Sequence, residues 1–258
     1  MFNPVAEAAE EPAGRRRKNN KETTPMKKLQ RGAQLIVAIA VALLPVVSIM
    51  AKPKWQVLFN GKSTDAWRGF RRDDFPAKCW AVENGMLRTI AGCGRADGVD
   101  LITKDTYQDF ELKLEWRVAP GANSGIMYLV SEDANATWMT GPEMQVLDDG
   151  KHADGKNPGT SAGALYGLIA PANKKLRAVG EFNRVRIIVR NGHVKYRLNG
   201  KTILEFDLGS DALNTLIAQS KFKAFPRFAK NRQGHIALQY HGDDVWYRNI
   251  RIRALSAN

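Results

Sequence analysis

Polar and apolar residues alternate almost perfectly along 109–118, Asp109-Phe-Glu-Leu-Lys-Leu-Glu-Trp-Arg-Val118, which predicts a long strand with one face buried. Positions 124–130 are more continuously apolar, as a strand held between two layers must be. Further runs predict strands at 55–59, 80–83, 86–90, 101–103, 143–147, 164–169, 182–190, 193–198, 202–207, 235–240 and 245–253. Turn pairs separate them: Asn60-Gly61, Asn84-Gly85, Pro120-Gly121, Asn191-Gly192 and Asn199-Gly200, the last two setting up a meander. Only one stretch has helical spacing. Ser210-Asp211 can cap a turn, and Leu213, Leu216, Ile217 and Ser220 then share a face, so one short helix is predicted near 211–220. Many strands, one helix and no solenoid repeat predict an all-β sandwich of two antiparallel sheets. No linker divides 52–258, which is read as one domain.

The first fifty residues do not share this pattern. Positions 1–25 are polar, carry Arg15-Arg16-Arg17-Lys18 and read as disordered or as an over-long gene start before Met26. Positions 26–51 run from the basic Met26-Lys-Lys-Leu-Gln-Arg31 through an apolar stretch to a small residue, Ala51, the order of a secretory signal peptide. The apolar stretch is shorter than the roughly 20 residues of a spanning helix and holds Pro45, so no stable membrane anchor is expected after cleavage. No cysteine follows it, which argues against a lipid anchor. The expected location is periplasmic or secreted.

Composition changes the picture little. Hydrophobic residues make up 44% and charged residues 25%, which suits a globular chain. The net charge of +13 falls to +9 once the eight basic and four acidic residues of 1–51 are set aside. The remaining cations alternate with apolar residues, as in Arg184-Val-Arg-Ile-Ile-Val-Arg190 and Arg251-Ile-Arg253, and read as a solvated sheet face. No nucleic-acid motif accompanies them, so no nucleic-acid partner is expected. Cys79 and Cys93 flank the hairpin predicted around Asn84-Gly85; export permits a disulfide, but two buried free thiols fit the spacing equally well. No phosphate loop, Gly-x-Ser-x-Gly elbow or His-Glu-x-x-His is present.

Candidate chemistry concentrates in Gly141-Pro-Glu-Met-Gln-Val-Leu-Asp-Asp149. On a strand, Glu143 and Gln145 share one face while Met144 and Val146 share the other. Asp148, Asp149 and His152 follow at the rim. Asn123 opens an apolar strand after a Pro-Gly turn, and His241 begins His241-Gly-Asp-Asp244, where a histidine beside two carboxylates suits a base or a metal ligand. Glu143, Gln145 and His241 are the candidate catalytic residues. Asn123, Trp138, Tyr166 and Asp148 are the candidate substrate contacts, with Trp138 and Tyr166 as platforms for a sugar ring.

Taken in order, several segments resemble the 3-keto-disaccharide hydrolase domain family. They are Leu58-Phe-Asn-Gly-Lys62 with Trp67; Trp80-x-Val-Glu-Asn-Gly85; Tyr107-x-Asp-Phe-Glu-Leu112 through Glu115-Trp-Arg117; and Asn123-Ser-Gly-Ile126. Then come Gly141-Pro-Glu-Met-Gln-Val-Leu-Asp148, Ala164-Leu-Tyr-Gly167, Gly180-Glu-Phe-Asn183, Gly234-His-Ile-Ala-Leu-Gln-x-His-Gly242 and Arg248-Asn-Ile250. The resemblance implies a concanavalin A-like jelly roll, export, and action on glycosides already oxidised at C3 of the sugar. It also implies functional pairing with a sugar 3-dehydrogenase that makes such substrates. Two departures are visible: Tyr240 stands where the family usually has an acid, and Phe182 where it usually has Trp.

A ketone at C3 acidifies the C2 proton, so a base can remove it and expel the C1 substituent, after which water adds. Glu143 or His241 is the expected base, and the ketone oxygen needs a positive or hydrogen-bonding group, for which a divalent cation held by some of Glu143, Asp148, His152 and His241 is one option. Two other functions share the fold. A retaining glucanase uses paired carboxylates in an E-x-D-x-x-E run, which here reads E-x-Q-x-x-D. A non-catalytic carbohydrate-binding module would not require the acidic cluster.

Overall fold

The computed structural model describes residues 54–93 and 99–256. The segments expected at 1–25 and 26–51 lie outside the described residues. Among the described residues no helix is long and apolar enough to cross a membrane.

The strands are β1 Gln56–Phe59, β2 Trp67–Gly69, β3 Trp80–Glu83, β4 Met86–Thr89, β5 Leu101–Thr103, β6 Phe110–Val118 and β7 Asn123–Val130. They continue with β8 Glu143–Leu147, β9 Asn183–Arg190, β10 His193–Leu198, β11 Lys201–Asp207, β12 His235–Leu238 and β13 Val245–Ala254. The helix α1 spans Asp211–Ala218, with the Ser210 hydroxyl accepting from the Leu213 N–H at 3.2 Å, as the sequence predicts. Strand order β11-β10-β9-β6-β13-β4-β3, with β1 also on β13, makes an eight-stranded sheet; β2-β5-β12-β7-β8 makes a five-stranded one. The predicted two-sheet antiparallel jelly-roll sandwich is therefore the observed fold.

Between the sheets lies a core that includes Trp67, Trp80, Trp116, Phe110, Tyr128, Tyr196 and Tyr247. Its tyrosines bring polar groups that must be satisfied. Tyr128 on β7 meets Tyr196 on β10 hydroxyl to hydroxyl at 2.8 Å, and Tyr247 on β13 meets Ser124 on β7 at 2.6 Å. These pairs tie the two sheets together. The Asn84-Gly85, Asn191-Gly192 and Asn199-Gly200 turns all have positive φ at both residues, the geometry that matches strand twist in a two-residue hairpin. Cys79 and Cys93 are joined in a disulfide, with Cα atoms 5.5 Å apart.

Three features differ from the sequence reading. β2 is too short to announce itself by alternation. Segment 164–169 is not a strand, because Gly163 and Gly167 have φ of +83° and +70° and turn the chain just before it and within it. Instead it covers the outer edge of β8: Tyr166 N–H donates to Glu143 O at 3.0 Å, Gln145 N–H to Ala164 O at 3.1 Å, and Gly163 N–H to Gln145 O at 2.9 Å. Three short 3₁₀ turns, Thr137–Met139, Ala153–Lys156 and Lys221–Ala224, also went unannounced, and they carry side chains to the site.

Candidate active site

The alternation of β8 places Met144 and Val146 in the core and turns Glu143 and Gln145 to the outer face of the five-stranded sheet. That face forms the floor of a cleft of about 670 Å³, to which Asn123 of β7, Asp100 before β5, and Gln239 and His241 after β12 also contribute. Trp138, Asp154, Tyr166 and Lys221 form part of its wall. The cleft thus joins Glu143, Gln145, Asn123, Trp138, Tyr166, His152 and His241 among the residues singled out by the sequence.

Glu143 is 6% exposed, so it lacks most of the water an ionised carboxylate needs. Burial pushes its pKa up to about 8, the negative charges of Asp100 and Asp154 add to the rise, and the Lys221 ammonium opposes it. Asp100 is raised to about 6 by burial, although the Thr137 hydroxyl and the Tyr240 N–H, the latter at 2.8 Å, donate to it. Tyr166 donates to Asp154 at 3.1 Å and is pushed up to about 12 by burial and by that carboxylate, which keeps the phenol protonated. Lys221 Nζ lies 4.5 Å from the Tyr166 ring centre and 5.5 Å from that of Trp138. A buried carboxylate, an ammonium and an aromatic wall therefore converge in one cleft.

Gln145 is 1% exposed, yet both its amide oxygen and its amide nitrogen lack a hydrogen-bond partner among the described residues. The same holds for Asn123 Oδ1. Buried polar atoms left unpaired are costly, and here they line a cleft where a polyhydroxylated ligand can satisfy them. Asn123 is itself held in place: its N–H donates to Asp243 at 3.0 Å, and its Nδ2 lies 3.5 Å from His152 Nε2. His241 Nδ1 lies 3.7 Å from the same Asp243 carboxylate, and the two imidazole rings are 6.4 Å apart, edge to face. His152 Nδ1 accepts the Asp154 N–H at 3.1 Å, which leaves Nε2 toward Asn123.

Asp148 is turned away from the cleft. Its oxygens accept from the Gly121 N–H at 2.7 Å and the Gly150 N–H at 2.9 Å, so it fastens the turn into β7 rather than touching substrate. Asp149 is spent similarly, on the Ala162 N–H at 2.8 Å and Lys174 at 2.6 Å. This corrects the expectation that Asp148 is a substrate contact or a metal ligand. The run E-x-Q-x-x-D does not build a glucanase carboxylate pair, and the expected metal set of Glu143, Asp148, His152 and His241 does not assemble. Among the described residues no group of three or more His, Cys, Asp or Glu side chains is placed to hold a metal ion. The sequence reading missed Asp100, Asp154, Lys221 and Gln239. Asp100, polar at the mouth of the buried strand β5, carried the same signal that singled out Asn123.

A polar, carboxylate-bearing cleft with an aromatic wall, on the open face of a β-sandwich, suits a carbohydrate, and the family and relatives of this chain make it that of a carbohydrate hydrolase. Residues 54–253 match the 3-keto-alpha-glucoside-1,2-lyase-like domain, and the chain belongs to that family. It is 36% identical over 225 residues to a 3-keto-disaccharide hydrolase of Bacteroides thetaiotaomicron, an alignment covering 77% of each protein. Among solved structures it is similar to a candidate glycosyl hydrolase of Parabacteroides distasonis, with a TM-score of 0.72 and 29% identity over 78% of this chain and 94% of that one. A second such structure from the same organism gives 0.61 and 30%, over 78% and 100%.

Proposed function

We propose that this protein cleaves 3-keto-glycosides, with Glu143 as the base that removes the C2 proton. The observation that carries this reading is the position of Glu143: a buried carboxylate whose pKa of about 8 makes it a stronger base than a solvated one, beside the unpaired Gln145 amide. As the C2–H bond breaks, its electron pair becomes the enolate and charge gathers on the C3 oxygen. The Gln145 amide N–H and the Lys221 ammonium are the groups of this cleft suited to meet that charge. The enolate then re-forms the ketone and expels the C1 oxygen, to which Glu143 passes the proton it took from C2, so the aglycone leaves protonated. Glu143, ionised again, takes a proton from the water that adds at C1 of the unsaturated ketone and delivers that solvent-derived proton to C2, so the sum is hydrolysis. The proposal includes export and supply of substrate by a sugar 3-dehydrogenase.

The test is incubation with 3-keto-trehalose, 3-keto-lactose and a 3-keto-glucoside in deuterated water. Aglycone release with deuterium at C2, both lost in Glu143→Gln, is the expected result. Release with no deuterium at C2 overturns the elimination. Sugar binding without turnover of any of the three makes the domain a binding module instead.

A further inference from the structure

Across the outer face of the eight-stranded sheet runs a straight row of four cations. Arg197 on β10 is paired directly with Arg186 on β9, Arg186 with Lys113 on β6, and Lys113 with Arg251 on β13. Directly opposed residues project from the same face, and neighbouring strands lie about 4.8 Å apart, so the row is about 14 Å long. Like charges placed opposite each other destabilise a sheet. Three such pairs in succession are a cost that the fold alone does not require.

Nearby carboxylates relieve that cost only in part. Glu111 serves Arg186 at 2.9 Å, Lys113 at 3.6 Å and also Arg253; Glu115 serves Arg248 at 2.7 Å and Arg184 at 3.6 Å. Among the described residues neither Arg197 nor Arg251 has a carboxylate partner. All four members of the row line one groove of about 290 Å³, together with Glu115 and Arg184. Burial and the charges of Arg186, Arg251 and Arg253 lower the pKa of Lys113 against the pull of Glu111, as crowding of cations dictates.

The half-buried aromatic side chains beside the row already carry cations. Lys113, Arg253 and Arg251 lie 4.3, 4.8 and 5.2 Å from the Trp55 ring centre, and Arg248 lies 3.8 Å from that of Phe182. Rings that already carry cations are poor platforms for a stacking base or for insertion in a bilayer, which favours charge as the basis of recognition. A linear row calls for a linear array of anions. We propose that the groove is a docking track for an acidic polysaccharide, whose successive carboxylates or sulfates lie along Arg197, Arg186, Lys113 and Arg251. Because the cleft opens on the other sheet, a glycan held here leaves the cleft free.

The test measures binding of the folded protein to polygalacturonate as salt is raised. The double variant Arg197→Gln/Arg251→Gln removes the two ends of the row, which have no carboxylate partner, and Lys62→Gln/Lys104→Gln removes equal charge elsewhere. The expected result is salt-sensitive binding, weakened at least about tenfold by the first variant and less than about twofold by the second. The first variant is also expected to melt no lower than the parent at low salt, since repulsion in the row is relieved. Equal losses in both variants, or no binding at low salt, overturn the track. Tighter binding to anionic vesicles or to duplex DNA than to the uronate polymer overturns the choice of occupant.

Discussion

The carboxylate of Glu143 occupies the space that a side chain at position 125 would need. A Cβ added to Gly125 would stand 2.7 Å from Glu143 Cδ and 2.9 Å from its Cγ. Gly125 lies on β7 opposite Gln145, so the acid of β8 reaches diagonally over a strand position kept bare for it. Gly125 does not have the left-handed φ that would itself demand glycine, so the requirement comes from the carboxylate. Gly125→Ala is therefore expected to push Glu143 aside and lower kcat about 100-fold, with only a modest loss of melting temperature. Unchanged kcat would falsify the idea that the acid acts from this position.

Burial of Glu143 has a consequence for stability. Its pKa in the folded state, about 8, lies above its ordinary 4.5, so its contribution is fully present below about 4.5 and is lost as pH rises through about 8. Glu143→Gln removes that loss. The variant is expected to gain on the parent by up to a few kcal/mol between about pH 5 and about pH 9 in urea denaturation. Parallel stability curves would contradict this, whereas a gain alongside abolished turnover would mark a site where activity is kept at the expense of stability.

The same carboxylate sets the pH–rate profile. As a base it acts when ionised, so kcat is expected to climb with pH toward a midpoint near 8. Lys221→Met removes the cation that favours the ionised form and should move the midpoint up. Asp100→Asn removes a repelling charge and should move it down. Kinetic profiles of the two variants shifting together, or not at all, would sink the assignment.

Asp148 separates structural from chemical roles. Asp148→Ala strips acceptors from two backbone N–H groups and is expected to cost about 3 kcal/mol in denaturant titration. Because its side chain faces away from the cleft, kcat of the folded fraction should stay within about twofold. A large fall in kcat with no loss of stability would restore it to the site.

The Cys79–Cys93 disulfide closes a loop with a sequence separation of 14. Replacing both cysteines by serine is expected to lower stability by about 3 kcal/mol, from the greater freedom of the unfolded chain. Denaturation of the parent with and without reductant checks the same quantity. No difference in either comparison would mean that the link adds nothing to the fold.

What the sequence determined by itself is the layer architecture and the facing of β8. Period-two alternation is a local property, so Glu143 and Gln145 against Met144 and Val146 could be read without knowing any partner strand, and the Asn-Gly turns announced their hairpins. Which polar residues meet in space is not local. Asp100, Asp154 and Lys221 come from three separated loops, and only closure of the five-stranded sheet and the turns above it brings them to Glu143. Asp148 shows the converse: three residues beyond Gln145 in sequence, it faces two backbone N–H groups and leaves the cleft. The row Arg197–Arg186–Lys113–Arg251 depends on strand register, which no single strand contains. Tertiary structure decided these points because the forces at work, burial, Coulombic coupling and cross-strand contact, act through space between residues far apart in the chain.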